Sequence, residues 1–353
     1  MPAVASQRAT TAIATASVVC LGETMATLIP PRGVALADAD SLQCGIGGAE
    51  SNVAAGLAPV APTHWVSRVG ADGFGQRILR ELTACGVGVG AVEIDPERPT
   101  GLYVKTPLLG ADGAAASSVI YYRSESAAAA MGPEFLANPA VAAVLAEASL
   151  IHVSGITAAL SEGCLHMLSN LLRADRGARR ISFDVNWRPA LWRGRPVGIL
   201  AELADLADVV LVGQDEAEAA LGVTDPAGLR ALLPGPETIV VKDAHRGARC
   251  LPRDGEPIEV PALRVDVVEP VGAGDAFAAG YLGGRLLGLD QAASLRRGHL
   301  SAACTLTVDG DRGPLVAQAI MDALLGCSAA DWAATSVDCR GVYSPACGLA
   351  GRS

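Results

Sequence analysis

From about residue 139 onward, segments with apolar residues at helical spacing alternate with short continuous apolar runs. The first kind of segment predicts amphipathic helices, and the second predicts strands that are buried on both faces. Strands are predicted at LIHVSG, ISFDVNWR, VVLVG and TIVVKD, with helices before, between and after them. This alternation is typical of an open, mostly parallel sheet that helices cover on both faces. We therefore predict an α/β fold.

The N-terminal part of the chain has a different pattern. SVVCLGETMATLIP predicts a first buried strand, and GIGGAESNVAAGLA predicts a Gly-rich turn that runs into a helix. Between residues 91 and 125, TGLYVKTPLL and SSVIYYRSE are short runs of strand-forming residues separated by the turn GADG. Such a pair is typical of a hairpin rather than of a strand–helix–strand unit. We predict that it forms a small β-lid over the main sheet, with part of the N-terminal segment.

The two ends of the chain lack this periodicity. Residues 1–16 are predicted to be a disordered leader, and residues 327–353 are predicted to be an irregular tail. The pattern in between predicts one main domain over residues 17–326. No stretch of 18 uninterrupted apolar residues occurs, so no membrane-spanning helix is expected.

Charge and cysteine content narrow the class of protein. The formal net charge is -10 at pH 7, which argues against nucleic acid or an anionic membrane as the main partner. The nine cysteines are scattered without a C-x-x-C pair, so a zinc site is not expected and a reducing, cytoplasmic location is the simplest interpretation. Among the basic residues only Lys105 and Lys242 are lysines.

The segment VEPVGAGDAFAAGY, residues 268–281, carries the most chemical information. Gly272, Ala273 and Gly274 are small enough for a ligand to approach the backbone, and an apolar helix follows them. The free N–H groups at the start of such a helix bind anions. Asp275 places a carboxylate at the same point, where general-base chemistry on a hydroxyl would need one. We therefore predict phosphoryl transfer.

Polar residues follow several of the predicted strands, where ligands bind in open α/β sheets. They are Asp184, Asn186 and Arg188, then Asp215 and Glu216, then Lys242 and Asp243. Arg188 could bind a substrate carboxylate or phosphate, or simply pair with Asp184 at the sheet edge. The Glu216 carboxylate could stabilise the start of the helix in which it lies, or could contact the water shell of Mg²⁺.

Three further features of the chain bear on the predicted chemistry. Tyr103, Tyr121 and Arg123 in the lid could fill its core, or could cover a sugar-like ligand. The other Gly-rich runs match a dinucleotide fingerprint only weakly, and no Walker A loop is present. His152, His166 and His245 show no ligand spacing and are interpreted as structural.

Taken together, these motifs resemble the PfkB, or ribokinase-like, family of carbohydrate kinases over residues 17–326. The resemblance rests on GGAESNVA at 47–54, VGADGFG at 69–75 and VEPVGAGDAFAAGY at 268–281. Within the family, TGLY, YYR, VSGIT and DVNWRPALW are most similar to 2-keto-3-deoxygluconate kinases. The resemblance implies a three-layer sandwich with a mostly parallel central sheet and a small β-lid.

The resemblance also implies a role for individual residues. Asp275 corresponds to the general base, and Gly272, Ala273 and Gly274 correspond to the anion hole. The implied sugar-binding residues are Gly48, Ala49, Glu50, Asn52, Tyr103, Tyr121, Arg123, Ile156, Arg188 and Asp311. The implied nucleotide-binding residues are Asn186, Arg188, Lys242, Arg246, Gly247, Gly272, Gly274 and His299. Glu216 would contact Mg²⁺ through water.

Some positions depart from the family pattern, among them two prolines in GLAPVAPTHW where the family has a continuous helix end and turn. The usual Asn-x-x-Glu reads Gly213-Gln214-Asp215-Glu216 here, Ala244 replaces a glycine of the nucleotide loop, and His299 replaces a common asparagine. The resemblance nevertheless implies an ATP- and Mg²⁺-dependent kinase that phosphorylates the terminal hydroxyl of 2-keto-3-deoxygluconate or a close sugar acid. Another sugar, such as fructose or ribose, and a non-catalytic sugar sensor stay as alternatives. A homo-oligomer that assembles through the lid is a further expectation.

Overall fold

The computed structural model describes residues 17–31, 33–109, 115–196 and 198–348. Its centre is an eight-stranded sheet in the order β14-β13-β12-β11-β10-β9-β1-β4. The strands from β12 to β4 in this order are parallel, whereas β13 and β14 are antiparallel additions at one edge. The strands are β1 Ser17–Leu21, β4 Thr63–Val66, β9 Ala148–Ser154, β10 Arg180–Asp184, β11 Val209–Gly213, β12 Thr238–Asp243, β13 Gly247–Pro252 and β14 Ile258–Pro261.

Helices cover both faces of this sheet and bury two apolar clusters. Alternate residues of β1 point to opposite faces, so that Val19 and Leu21 join one cluster while Val18 and Cys20 join the other. The helices are α1 Ala49–Leu57, α2 Gly73–Ala84, α3 Pro139–Glu147, α4 Gly155–Ala159, α5 Glu162–Arg173, α6 Gly198–Asp205, α7 Gln214–Leu221, α8 Pro226–Leu232, α9 Ala273–Leu286, α10 Gln291–Leu306, α11 Gln318–Leu325 and α12 Ala329–Ala334. The predicted three-layer α/β fold is thereby confirmed.

A second sheet of four strands, in the order β3-β2-β7-β8, forms the lid. Its strands are β2 Met25–Ile29, β3 Gln43–Gly47, β7 Leu102–Leu109 and β8 Ala115–Tyr122. The last two strands form the predicted hairpin, with Tyr103 opposite Tyr121. The prediction of a single first strand over SVVCLGETMATLIP is wrong in one respect. Strand β1 ends at Leu21, and the chain then crosses to the lid, where β2 begins at Met25. A separate pair of strands, β5 Arg68–Gly70 and β6 Glu93–Asp95, lies apart from the lid.

The end of the described chain is regular, so the prediction of an irregular tail is wrong as far as residue 348. After α11 come α12 and the strands β16 Ser336–Asp338 and β17 Gly341–Tyr343, which join β15 Arg264–Val265 in a third sheet. Trp332 and Val337 of this segment are buried. The segment is too short for periodicity to reveal it, and its order comes from contacts with the main domain. The predicted leader, residues 1–16, lies outside the described residues. Within the described ranges, no helix is long and apolar enough to cross a membrane.

Candidate active site

A cavity of about 980 Å³ brings the predicted site residues together. Residues of the lid sheet, of the carboxyl ends of the main-sheet strands and of the start of α9 line it. All of the predicted site residues except Glu50 and Arg246 are on its wall. Residues more than 200 positions apart in the sequence thus meet in one cleft, as expected at the carboxyl ends of parallel strands.

Asp275 lies in the first turn of α9, with its carboxyl group on the cavity wall. Asn52 Nδ2 donates a hydrogen bond of 2.9 Å to Oδ2 of this carboxyl group, and Asn186 Nδ2 lies 3.5 Å from Oδ1. Burial raises the pKa of Asp275 to about 7, although the Asn52 hydrogen bond opposes this shift. The side chain keeps partial access to the cavity. A carboxyl group with a pKa near neutrality can accept a proton from a hydroxyl and release it again.

The turn before Asp275 depends on glycine. Gly272 has a φ of +87°, and a Cβ atom there would lie 2.1 Å from the Asp311 backbone oxygen. The first hydrogen bond of α9 runs from the Ala276 N–H to the Gly272 oxygen, so the N–H groups just before Ala276 precede the intrahelical bonding pattern. Together with the helix dipole, such groups favour an anion at this end of the cavity.

A cluster of charged side chains follows the ends of β10, β11 and β12. Lys242 Nζ donates to both carboxylate oxygens of Asp184, at 3.0 and 2.8 Å. The Glu216 carboxylate accepts the N–H of Trp187 at 2.9 Å and the N–H of Gly213 at 2.7 Å. Burial raises the pKa of Glu216 and the Lys242 charge lowers it, with a net increase.

Arg188 is the more accessible of the two predicted substrate-binding arginines. Its side chain is 47% exposed, and NH1 lies 3.7 Å from a Glu216 oxygen that already accepts a backbone N–H. NH1 also donates to the Trp187 backbone oxygen at 3.0 Å, so one of the five guanidinium N–H groups is used and most remain available at the cavity wall. The alternative pairing of Arg188 with Asp184 is not formed, because Asp184 binds Lys242 instead.

The lid contributes a second set of charged contacts. Tyr103 donates its hydroxyl to Asp311 at 2.5 Å, and Lys105 Nζ donates to the other Asp311 oxygen at 3.0 Å. Lys105, which is 1% exposed, also lies 3.2 Å from Glu269. Glu269 accepts the N–H of Val271 at 3.0 Å, so strand β7 is tied to the turn that precedes Asp275.

A scan against protein-family models supports the sequence interpretation. Residues 15–318 match the model described as pfkB family carbohydrate kinase. The chain belongs to this family. It is a carbohydrate kinase, that is, an enzyme that phosphorylates a sugar at the expense of ATP, and the predicted ribokinase-like fold is confirmed by its structural neighbours.

Named relatives of the kinase cover most of its length. The 2-dehydro-3-deoxygluconokinase of Bacillus subtilis is 35% identical over 83% of this chain and 90% of that protein. The 2-dehydro-3-deoxygalactonokinase of Haloferax volcanii is 32% identical over 84% of this chain and 93% of that protein. Among solved structures, the sugar kinase PH1459 of Pyrococcus horikoshii in complex with ATP is 26% identical, with a TM-score of 0.74 over 89% of this chain and 99% of that chain.

Two predicted site residues of the kinase do not reach the cavity. The fully buried Glu50 carboxylate points away from it and accepts the hydroxyls of Ser154 at 2.6 Å and Thr157 at 2.7 Å. Burial raises the pKa of Glu50. Arg246 instead binds Asp243, through Nε at 2.8 Å. The structure therefore corrects Glu50 from a sugar contact to a buried side chain that lies beneath the predicted sugar-binding residues.

Glu23 and Lys105 are functional candidates that the sequence reasoning missed. Glu23 lines the cavity, is buried, pairs with Arg123 and accepts the Ser126 hydroxyl at 2.6 Å. No motif surrounds it, so only the structure reveals it. Lys105 had one available signal, namely that it is one of two lysines in an arginine-rich chain. Lys242 lines the cavity and binds Asp184, whereas Lys105 is buried and binds the cavity residue Asp311.

Proposed function

We propose that this kinase transfers the γ-phosphoryl group of ATP to the terminal hydroxyl of 2-keto-3-deoxygluconate (2-dehydro-3-deoxygluconate) or of a close sugar acid. The names of the relatives support this class of substrate. One observation carries the mechanism: the Asp275 carboxyl group, with a pKa near 7, lies on the cavity wall in the first turn of α9, where the Gly274 and Asp275 N–H groups precede the first intrahelical hydrogen bond.

In this proposal the cavity has two ends. Gly48, Ala49 and Asn52 of the α1 start would contact the sugar, with Tyr103 and Tyr121 above them. The Tyr103 and Tyr121 rings lie 5.7 Å apart, and the Arg123 guanidinium lies 5.5 Å from the Tyr121 ring centroid. A wall of aromatic faces beneath a β-sheet lid excludes water from a bound sugar, which suppresses hydrolysis of ATP.

ATP would occupy the other end, next to Lys242, Gly247 and His299. Burial lowers the pKa of His299 to about 4, so its ring is neutral at physiological pH. Its Nε2 lies 3.0 Å from the Val260 backbone oxygen. A neutral, fixed ring suits the apolar wall of a base-binding pocket better than the phosphate region.

The chemical step would proceed by in-line displacement. The sugar hydroxyl oxygen forms a bond to the γ-phosphorus while the bond from that phosphorus to the bridging oxygen breaks, and ADP leaves with the electron pair. Asp275 accepts the hydroxyl proton. The N–H groups of Gly274 and Asp275 would donate to the oxygens of the transferring group, whose charge is thereby stabilised.

Mg²⁺ is the expected cofactor, and the side chains of the cavity favour indirect binding of this ion through water. In the described residues no group of three or more His, Cys, Asp or Glu side chains could hold a metal ion. Both oxygens of Glu216 already accept backbone N–H groups, and Asp184 is paired with Lys242. These contacts favour a Mg²⁺ ion bound mainly by phosphate and water, with Asp215 and Glu216 facing its water shell. The bound ion would neutralise phosphate charge.

Charge balance in the cavity bears on the choice between a sugar acid and a neutral sugar. Arg123 is buried and its charge is matched by Glu23, so this pair suits hydroxyl groups as well as a carboxylate. Arg188 is the better candidate for the carboxylate of a sugar acid, because its guanidinium is half exposed and weakly engaged. Another sugar, such as fructose or ribose, stays as the alternative substrate.

A coupled ADP-release assay over a panel of sugars tests the proposal. We expect the highest kcat/KM with 2-keto-3-deoxygluconate or 2-keto-3-deoxygalactonate, and much lower values with fructose, ribose and gluconate. Arg188→Ala should lower kcat/KM more for the sugar acids than for fructose. Absence of turnover with both keto-deoxy acids, alongside turnover of a neutral sugar, would reject the substrate class.

Two further predictions accompany this proposal. A homo-oligomer through the lid is supported by β8, which is one of the two edge strands of the described lid sheet and exposes Ile120 and Tyr122. Light scattering of the purified protein would decide it, since a monomer at micromolar concentration contradicts the prediction. A cytoplasmic location stays a prediction, and it rests on the nine scattered cysteines without a C-x-x-C pair.

A further inference from the structure

The last described residues, 328–348, contact the wall of the cavity from behind. We refer to residues 328–348 as the C-terminal cap; it consists of α12, β16, β17 and a final short helix. The cap lies beyond residue 318, where the match to the family model ends. Nothing in the kinase chemistry proposed above uses it.

The cap binds the backbone of one cavity wall. Residues 262–267 form that wall, and Leu263, Val265 and Val267 face the cavity. In the part of the chain that the structure describes, β15 has one strand partner, the cap strand β16. The Asp266 N–H adds a bond of 3.1 Å to the Val337 oxygen. The cap therefore holds the middle of this wall, while its ends are bound to the main domain, through the Ala262 N–H to the Arg246 oxygen at 3.4 Å and the Val268 N–H to the Leu306 oxygen at 2.7 Å.

Trp332 anchors the cap at the same place. The ring is 2% exposed, and its Nε1 donates to the Pro261 oxygen at 2.9 Å. The Arg296 guanidinium lies 5.1 Å from the ring centroid. On the cavity side, the Trp332 ring lies 6.4 Å from the His299 ring, which itself packs edge-on against Phe277 at 5.2 Å. His299 and Phe277 both line the cavity.

The wall that the cap supports is apolar. Leu263, Val265, Ala302, Ala303 and Leu306 are among its residues. Val267 is 47% exposed, which is unusual for a large aliphatic side chain. A flat, weakly polar group fits such a slot, whereas a phosphate or a polyhydroxylated sugar does not. Of the parts of the two substrates, only the adenine ring has this character.

We propose that the C-terminal cap is a positioning element for the adenine end of the cavity, so that affinity for ATP depends on it and affinity for the sugar does not. The proposal rests on the placement of ATP in the proposed function. Trp332 and β16 act through His299 and residues 262–267, and they need not touch the nucleotide. The turn at Gly272 does not depend on the cap, because it packs closely against the Asp311 backbone and the preceding Val271 N–H donates to Glu269 at 3.0 Å.

The test measures ATP binding directly, by calorimetry on the full-length protein, without any sugar. Trp332→Phe keeps an aromatic ring but loses the hydrogen bond to Pro261, and we expect the Kd for ATP to rise about threefold. Trp332→Ala also removes the packing against His299, and we expect a rise of about tenfold or more. The Kd for inorganic tripolyphosphate, which has no base, should stay within about twofold of wild type in both variants.

Trp65→Phe is the matched control. Trp65 is also fully buried, but it does not line the cavity and its Nε1 has no hydrogen-bond partner among the described residues. This variant should leave both affinities unchanged. Thermal unfolding of each variant shows that the protein is folded at the assay temperature.

The possible outcomes distinguish failure of the role proposed for the cap from failure of the proposed function. A wild-type protein that binds no ATP would overturn the proposed placement of the nucleotide. If the wild type binds ATP and a folded Trp332→Ala variant binds it equally well, the role of the cap is rejected. An equal loss of ATP and tripolyphosphate affinity in Trp332→Phe would also reject it, because the effect would then not be specific to the base.

Discussion

Replacement of Asn52 by leucine should move the pH dependence of the kinase, because Asn52 stabilises the charged form of Asp275. The hydrogen bond from Asn52 Nδ2 measures 2.9 Å and opposes the effect of burial on the Asp275 pKa. A hydrogen bond to a charged group contributes about 1.5–3 kcal/mol, and one pKa unit corresponds to about 1.4 kcal/mol. The loss should therefore raise the pKa of Asp275 from about 7 by a further ~1–2 units.

The assay is kcat/KM for the sugar at saturating ATP, measured from pH 5.5 to 9.5. A general base must be ionised, so the rate should fall about tenfold for each pH unit below its pKa. In Asn52→Leu the whole acid limb should move to higher pH. The position of the limb is the readout, because loss of a sugar contact lowers its height without moving it.

Asn186→Gly is the control for this experiment. Asn186 lies near the other Asp275 oxygen, but its contact of 3.5 Å is at the limit of a hydrogen bond. Glycine also suits its φ of +40°. We expect a shift of less than about half a unit. An acid limb that stays in place in Asn52→Leu would refute the assignment of this limb to Asp275.

Three other substitutions test separate parts of the account. Ala244→Gly should raise the free energy of unfolding by up to about 1 kcal/mol, because Ala244 has a φ of +45° that glycine adopts without strain. Ala293→Gly in α10 should instead lower the free energy of unfolding by about 1 kcal/mol. Urea denaturation measures both changes. Gly272→Ala should reduce kcat by about 100-fold or more, since its Cβ would displace the anion-binding turn, while Gly288→Ala, with a similar φ and open space around it, should leave kcat unchanged. Asp275→Asn should stabilise the fold by about 1–3 kcal/mol at pH 8 and by little near pH 4, a difference that thermal unfolding at the two pH values would detect.

The sign of the last effect follows from the direction of the pKa shift. The Asp275 carboxyl has a raised pKa of about 7 in the folded protein, whereas in the unfolded chain it loses its proton near pH 4. Between these values only the folded state holds the proton. Rising pH therefore destabilises the wild type across this window, and the asparagine variant escapes the penalty. Equal stability of the two proteins at pH 8 would contradict a raised pKa.

The sequence predicted the layers of the fold because they follow from local pattern. Buried strands and amphipathic helices alternate strictly after residue 139, and the glycine turn before Asp275 is a compact motif. The end of β1 at Leu21 is not visible in the sequence, because both halves of SVVCLGETMATLIP are apolar. They are separate strands because the first pairs in the main sheet and the second pairs in the lid sheet. The cap was missed for a related reason. Its elements are short, and pairing with β15 determines their structure.

The residues of the candidate site also fall into those that local motifs predict and those that only the structure reveals. Motif residues such as Gly272, Asn52 and Asp275 meet in the cavity as the sequence reasoning expected. Glu50 belongs to the same motif as Asn52, yet two helical residues that are two positions apart face different directions. The Glu50 side chain therefore contacts Ser154 instead of the cavity. Glu23 lies outside every motif. Its position depends on how the chain crosses from the main sheet to the lid, which local pattern does not encode.

The most direct test of the central claim is Asp275→Asn, examined for binding and turnover in the same preparation. Kd values for ATP and for 2-keto-3-deoxygluconate should stay within about threefold of wild type, because the substitution keeps the shape of the side chain. The kcat should fall by about 10²–10⁴-fold, the usual contribution of a general base. A variant that binds both substrates and retains a kcat close to that of the wild type would contradict the account.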